Sequence, residues 1–251
     1  MRMVVTSHHN GTTIIKLNRG VTNALDLGLV DELAETIHSV QNDPDSHSMV
    51  LASANDKFFS IGFDIPNLYK LHREDFRIFY RRFNQACLDL YTLPKPTVAA
   101  ITGHAIAGGC ILALCCDYRL IAEGRKLMGL NEIKLGVPVP YLGDCILRTL
   151  VGVRTAREVM ELGEFYTAEM ALEMGMVDQV LSLERVLSAS IEKACVLGES
   201  PLQALAMIKQ NRVRPVEERV LACQDEKTEA FLDCWYSGQA RDRLREAIEK
   251  F

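Results

Sequence analysis

Three short segments hold residues that can do chemistry together: FFSIGFD over Phe58–Asp64, GHAIAGGC over Gly103–Cys110 and GLNEIKLGVP over Gly129–Pro138. The first two each follow an apolar, β-like run and then bend at glycine, a shape that aims backbone N–H groups into a pocket. Gly62 permits a strained turn beside Ile61. Gly108 and Gly109 drop their Cβ atoms where a carbonyl needs close approach to backbone at the start of a helix. The N–H groups of Ile61 and Gly108 are the expected donors to a carbonyl oxygen on which negative charge accumulates. Glu132 in the third segment is placed to reach the same pocket as a proton-transferring carboxylate. The helix after the glycines offers Ile111 and no second carboxylate, so proton shuttling fits better than water addition.

Each of these residues also has a structural reading. An AGG run serves plain strand-to-helix packing, a glutamate at a helix start is stabilised by the dipole, and Ile111 fits a core. Asp144 in PYLGDC can cap a helix or enter the pocket as a second carboxylate. His104 can pack or donate a hydrogen bond near the hole, and Asp64 is expected to fix its own turn through side-chain to backbone bonds.

The elements that must position these residues read as an α/β alternation. Met3–Val5 and Thr13–Leu17 flank His9-Asn10-Gly11, an opening hairpin whose Asn-Gly pair tolerates positive φ. Leu29, Leu33, Ile37 and Val40 recur at helical spacing and predict a helix over about Leu27–Gln41, stopped by Asn42-Asp43-Pro44. A buried strand over Met49–Ala52, a helix-rich stretch over Ile65–Leu93, a break at Pro94-Lys95-Pro96 and a strand over Thr97–Ile101 follow. A helical patch to Cys116, a strand over Tyr118–Ala122 and another near Lys126–Met128 continue the pattern. Beyond Val180 the sheet signal fades. Leu183–Leu197, Pro201–Asn211 and Val216–Trp235 read as helices, with Pro215 separating the last two and Gly238 marking the approach to a final one.

At 251 residues and 48% hydrophobic composition, the chain can bury a sizeable core. The net charge of −5, from 28 Lys and Arg against 33 Asp and Glu, gives no concentrated basic surface for nucleic acid. Eight scattered cysteines without a CxxC pair fit a reducing compartment, and no metal-ligand spacing stands out. No apolar run reaches the length of about 18 residues needed to span a membrane, and Met1–His8 lacks a secretory apolar region. The expected location is the cytoplasm, although a removed transit peptide would leave no trace.

In order and spacing, FFSIGFDI, TGHAIAGGCILALCCDYRLIA, GLNEIKLGVPVP and MALEMGMVDQV closely resemble the crotonase superfamily of acyl-CoA enzymes. The resemblance is strongest over Phe58–Val180 and weakest over the C-terminal helices. It implies a spiral of ββα units over 1–197, holding the acyl-CoA site, and a C-terminal helical region over 198–251 for packing and oligomerisation. Ile61 and Gly108 fall at the oxyanion positions, with Gly62, Phe63, Asp64 and Ile65 lining the acyl-CoA site. Of the two glutamates that hold water in the hydratases of this superfamily, one position is Ile111 here and the other is Glu132. A single glutamate in GLNE resembles the Δ3,Δ2-enoyl-CoA isomerase branch, which implies a 3-enoyl-CoA substrate, a homotrimer or dimer of trimers, and no cofactor, since coenzyme A is part of the substrate. Hydration, thioester hydrolysis, decarboxylation, or acyl-CoA binding without turnover are the alternatives on the same fold.

Overall fold

The computed structural model describes residues 2–249. The chain opens with the hairpin β1 (Val4–His9) and β2 (Thr12–Leu17), whose turn residues Asn10 and Gly11 both have positive φ, as a two-residue type I′ connection requires. The strands run longer than the apolar residues alone suggest, because His8 and His9 continue the backbone ladder opposite Thr13 and Thr12. Asp26 caps α1 (Leu27–Asn42) by accepting from the Leu29 N–H at 2.9 Å, and Leu29, Leu33, Ile37 and Val40 form its buried stripe.

From here the chain repeats one move. A long buried strand is followed by a short one, and then by a helix. β3 (Ser48–Ser53) leads to β4 (Phe58–Ser60), α2 (Ile65–Leu68) and α3 (Arg73–Thr92). β5 (Thr97–Ile101) leads to β6 (His104–Ile106) and α4 (Gly108–Leu114). β7 (Tyr118–Ala122) leads to β8 (Leu127–Gly129), a 3₁₀ turn over Glu132–Leu135 and α5 (Tyr141–Leu162). The segment then runs through β9 (Tyr166–Thr167), α6 (Ala168–Glu173) and β10 (Gln179–Leu181). The long strands stack into a sheet of order β1-β2-β3-β5-β7-β10, and the short ones into a second sheet of order β4-β6-β8-β9. Because each ββα turn adds one strand to both sheets, the chain climbs as a spiral. Helix α5 has no counterpart in the sequence reading, since Gly143 and the non-helical Gly152 (φ 78°) within it dilute the apolar periodicity.

Helix α7 (Leu183–Gly198) packs Val186 and Ala194 against Val50, Val98 and Leu120 of the first sheet, and the C-terminal helical region then comprises α8 (Leu202–Trp235) and α9 (Gly238–Ile248). The break expected at Pro215 is absent, and α8 is one 34-residue helix. Pro215 and Asn211, whose carbonyl the proline leaves without its helical partner, are both exposed, so water can take that bond, while Val213, Val216 and Val220 keep the buried stripe continuous. Trp235 stacks on Phe76 of α3 at 4.3 Å and Phe231 on Tyr80 at 4.1 Å, so these aromatics pack against the chain's own core. Arg77 and Arg81 of α3 pair with Glu229 and Asp225 of α8 at 2.8 and 2.7 Å. At the other end of α8, the buried Lys209 ammonium sits 2.8 Å from Asp117 and donates to the Lys95 carbonyl at 3.0 Å. Residues 250 and 251 of the expected helical region lie outside the described residues.

Candidate active site

The parallel strands β4, β6 and β8 end side by side, so the segments that follow them gather at one edge of the second sheet. These are Ile61–Phe63, Ala107–Gly108 and Leu130–Glu132. Contact between the first two is very close. Gly62 has φ +90°, and a Cβ built on it would lie 2.8 Å from the Gly108 nitrogen and 2.9 Å from the Ile106 carbonyl oxygen. One built on Gly109 would lie 2.2 Å from the Ser60 carbonyl oxygen, so glycine is required there on steric grounds alone. Ala107 adopts φ 49° and ψ −121°, which is strained for a residue with a Cβ, and is tied down by its N–H bond to Gly129 O at 2.8 Å.

Where the N–H groups go corrects one expectation. The Ile61 N–H donates to the Thr22 carbonyl at 2.9 Å and is not free to hold a carbonyl. Gly62 N–H is taken by Ser60 Oγ at 3.1 Å. Among the described residues, the N–H groups of Phe63 and Gly108 have no hydrogen-bond partner. The free donor on the first turn therefore lies two residues beyond the one expected. Ile61 remains at the site as an apolar wall.

These turns open on a cavity of about 370 Å³. Glu132 lines it from the start of the 3₁₀ turn, 5% exposed, with Oε2 buried and unpartnered. Burial pushes its carboxyl up from the ordinary 4.5 to about 8, because the anion loses its hydration and gains only its own backbone N–H in return. Phe63, Ile61 and Ile65 also line the cavity, whereas Gly62 and Asp64, expected to do so, are not among its lining residues. Asp64 behaves as expected, accepting from the Asn67 N–H at 3.3 Å to fix α2, and it also pairs with Arg19 at 2.6 Å.

Neither candidate for a second carboxylate position contributes an acid to this cavity. Ile111 is fully buried and meets Gly143 of α5, where an added Cβ would lie 3.0 Å from its Cγ1. Asp144 pairs with Arg148, 3.0 Å between Oδ2 and Nη2, in a separate groove. His104 does line the cavity. Its Nδ1 accepts from the Leu127 N–H at 3.1 Å, which leaves the hydrogen of the neutral ring on Nε2, and burial with Lys126 and Lys57 nearby holds its pKa below the usual value.

Sequence reasoning missed the roof. Phe231 and Trp235 of α8 and Ala247 of α9 close the cavity together with Val137, Pro140 and Phe165. The surplus of apolar residues in the C-terminal helices was the only signal available for it. Asn131, next to Glu132, was likewise overlooked, although it stands inside the GLNE motif.

Fold and site define an enzyme scaffold that pairs unspent backbone donors with one buried acid. Residues 7–251 match the model of the enoyl-CoA hydratase/isomerase family, and the chain belongs to that family. It is similar to enoyl-CoA delta isomerase 1, mitochondrial, of Mus musculus, with 32% identity over 185 residues, which is 73% of this chain and 64% of the mouse protein. It is also similar to the short-chain-enoyl-CoA hydratase of Clostridium acetobutylicum, with 27% identity over 98% of this chain and 95% of that protein. The crystal structure of human mitochondrial delta3-delta2-enoyl-CoA isomerase superimposes with a TM-score of 0.96 at 26% identity, covering 99% of this chain and 98% of that one. Among the described residues, no helix is long and apolar enough to cross a membrane.

Proposed function

We propose that the protein shifts the double bond of a 3-enoyl-CoA to the 2-enoyl position. The observation that carries this reading is that Glu132 is, among the described residues, the one carboxyl lining a cavity that also holds two unspent N–H groups. The thioester oxygen accepts from Phe63 and Gly108, each donor supplying on the order of 3 kcal/mol of transition-state stabilisation. Held this way, the thioester becomes acidic at C2. Glu132 takes the C2 proton, the electron pair of the broken C–H bond passes into a dienolate, and the same carboxyl returns the proton at C4. Proton transfer alone accounts for the reaction, so no cofactor is invoked beyond the coenzyme A of the substrate.

Hydration is disfavoured because, among the described residues, no second carboxylate lines the cavity to position water. The likeness to the human isomerase structure supports the same preference. Product analysis with matched 3-enoyl-CoA and 2-enoyl-CoA substrates tests the reading. Conversion of the first to 2-enoyl-CoA, with little 3-hydroxyacyl-CoA from the second, is the expected result. Hydration at a rate matching isomerisation overturns it. All eight cysteines are free, consistent with a reducing location such as the cytoplasm. Leu150, Val153 and Leu162 of α5 are exposed apolar residues that fit burial in a homotrimer.

A further inference from the structure

Asn131 occupies the position just before the 3₁₀ turn, with φ −107° and ψ 18°. An asparagine there ordinarily turns its side-chain oxygen back onto one of the first N–H groups of the turn. This one does not. The Lys134 N–H is taken by the main-chain carbonyl of Asn131 at 3.0 Å, and the side chain makes no capping bond. Instead the residue lines the catalytic cavity, and its Oδ1 is buried without a hydrogen-bond partner. The next residue, Glu132, lines the same cavity and also carries a buried, unpartnered oxygen, Oε2.

Two acceptor oxygens on consecutive residues cannot bond one another while the carboxyl is ionised, since neither carries a hydrogen. Once a proton sits on the carboxyl, the neutral acid becomes a donor and the amide oxygen its natural acceptor. We propose that Asn131 Oδ1 accepts the hydrogen bond of neutral Glu132, a positioning contact that holds the carboxyl between taking up a proton and giving it back. Its place in the cycle rests on the isomerase reading above, where Glu132 becomes neutral on taking the C2 proton and stays so while the dienolate lasts. The contact itself also forms in the free protein. Other titratable groups around the carboxyl are Tyr80 of α3 and Cys110 of α4, both kept neutral by burial, and His104 on β6. None of them accounts for the orphaned amide oxygen.

Infrared difference spectra between the wild-type protein and Glu132→Gln, without substrate, isolate the Glu132 carboxyl. The same subtraction is made in Asn131→Leu and Asn131→Asp backgrounds. The protonated-acid band should move to higher wavenumber in Asn131→Leu, where the acceptor is gone. In the near-isosteric Asn131→Asp, the Glu132 protonation midpoint should rise by a unit or more, because two carboxyls then share one proton. With 3-enoyl-CoA, Asn131→Leu should lose at least tenfold in kcat while KM stays within about twofold. An unmoved band in Asn131→Leu, or an unmoved midpoint in Asn131→Asp, overturns the contact. The spectra need no turnover. Shifted bands in a protein that does not isomerise would overturn the isomerase reading alone, and normal isomerisation with unshifted bands would overturn Asn131 alone.

Discussion

Gly62 and Gly108 are packed so closely that a single methyl group on the first would stand 2.8 Å from the amide nitrogen of the second. The two turns are thus one object, and each fixes the place of the other. Gly62→Ala should therefore push Gly108 out of position, with added strain from the positive φ at residue 62. The expected outcome is a fall in kcat of about a hundredfold or more, the loss typical of one misplaced oxyanion donor. Steady-state kinetics on 3-enoyl-CoA, with circular dichroism to confirm folding, checks it.

Glu132 must be ionised to take a proton, and burial sets its pKa at about 8. The rate at limiting substrate should therefore climb with pH through that value rather than reach a plateau near pH 5. Glu132→Gln should abolish this limb, lower kcat by roughly a thousandfold and leave acyl-CoA affinity within a few-fold. A variant that retains near wild-type turnover removes Glu132 from the mechanism.

The same burial has a signed effect on stability. The carboxyl pKa is higher in the folded chain, about 8, than its ordinary value of 4.5, so its contribution is full below pH 4.5 and is lost as pH rises to about 8. Within that window each unit costs ~1.4 kcal/mol. A neutral glutamine carries no such cost. Thermal melts of wild type and Glu132→Gln should diverge steadily between pH 5 and pH 8 in favour of the variant, which trades activity for stability. Parallel melting curves across this window would show that Glu132 is solvated.

At the far end of α8, Asp117 and Lys209 should respond unequally to removal. Asp117→Ala leaves the buried Lys209 ammonium with only the Lys95 carbonyl, and should cost about 3–5 kcal/mol. Lys209→Met leaves Asp117 bonded to Arg212 and to the Thr97 N–H at 2.8 Å, and should cost much less. Urea unfolding of the two variants decides the order.

The placing of Gly108 and Glu132 on one cavity, and the need for glycine at 109, were legible in the sequence because their requirements are local: a close approach needs glycine, and the proposed proton transfer needs an acid. The free donor on the first turn was not legible. Whether Ile61 or Phe63 keeps its N–H depends on where the Thr22 carbonyl lands, and Thr22 lies in a different loop of the spiral. Pro215 misled for a related reason, since a proline breaks a helix only if the carbonyl it leaves behind has nowhere to go, and here it faces water. The roof formed by Phe231 and Trp235 was hidden because helical periodicity reports that a face is buried and not what it covers.

The roof also imposes an order on the molecule's birth. The turns holding Gly62, Gly108 and Glu132 leave the ribosome well before α8 and α9, so a nascent chain displays the apolar floor of its cavity until its last helices arrive. A chain cut short before α8 lacks Phe231, Trp235 and Ala247, and the cavity that Glu132 lines has no cover against water. Such a fragment presents a sticky apolar surface for chaperones to recognise.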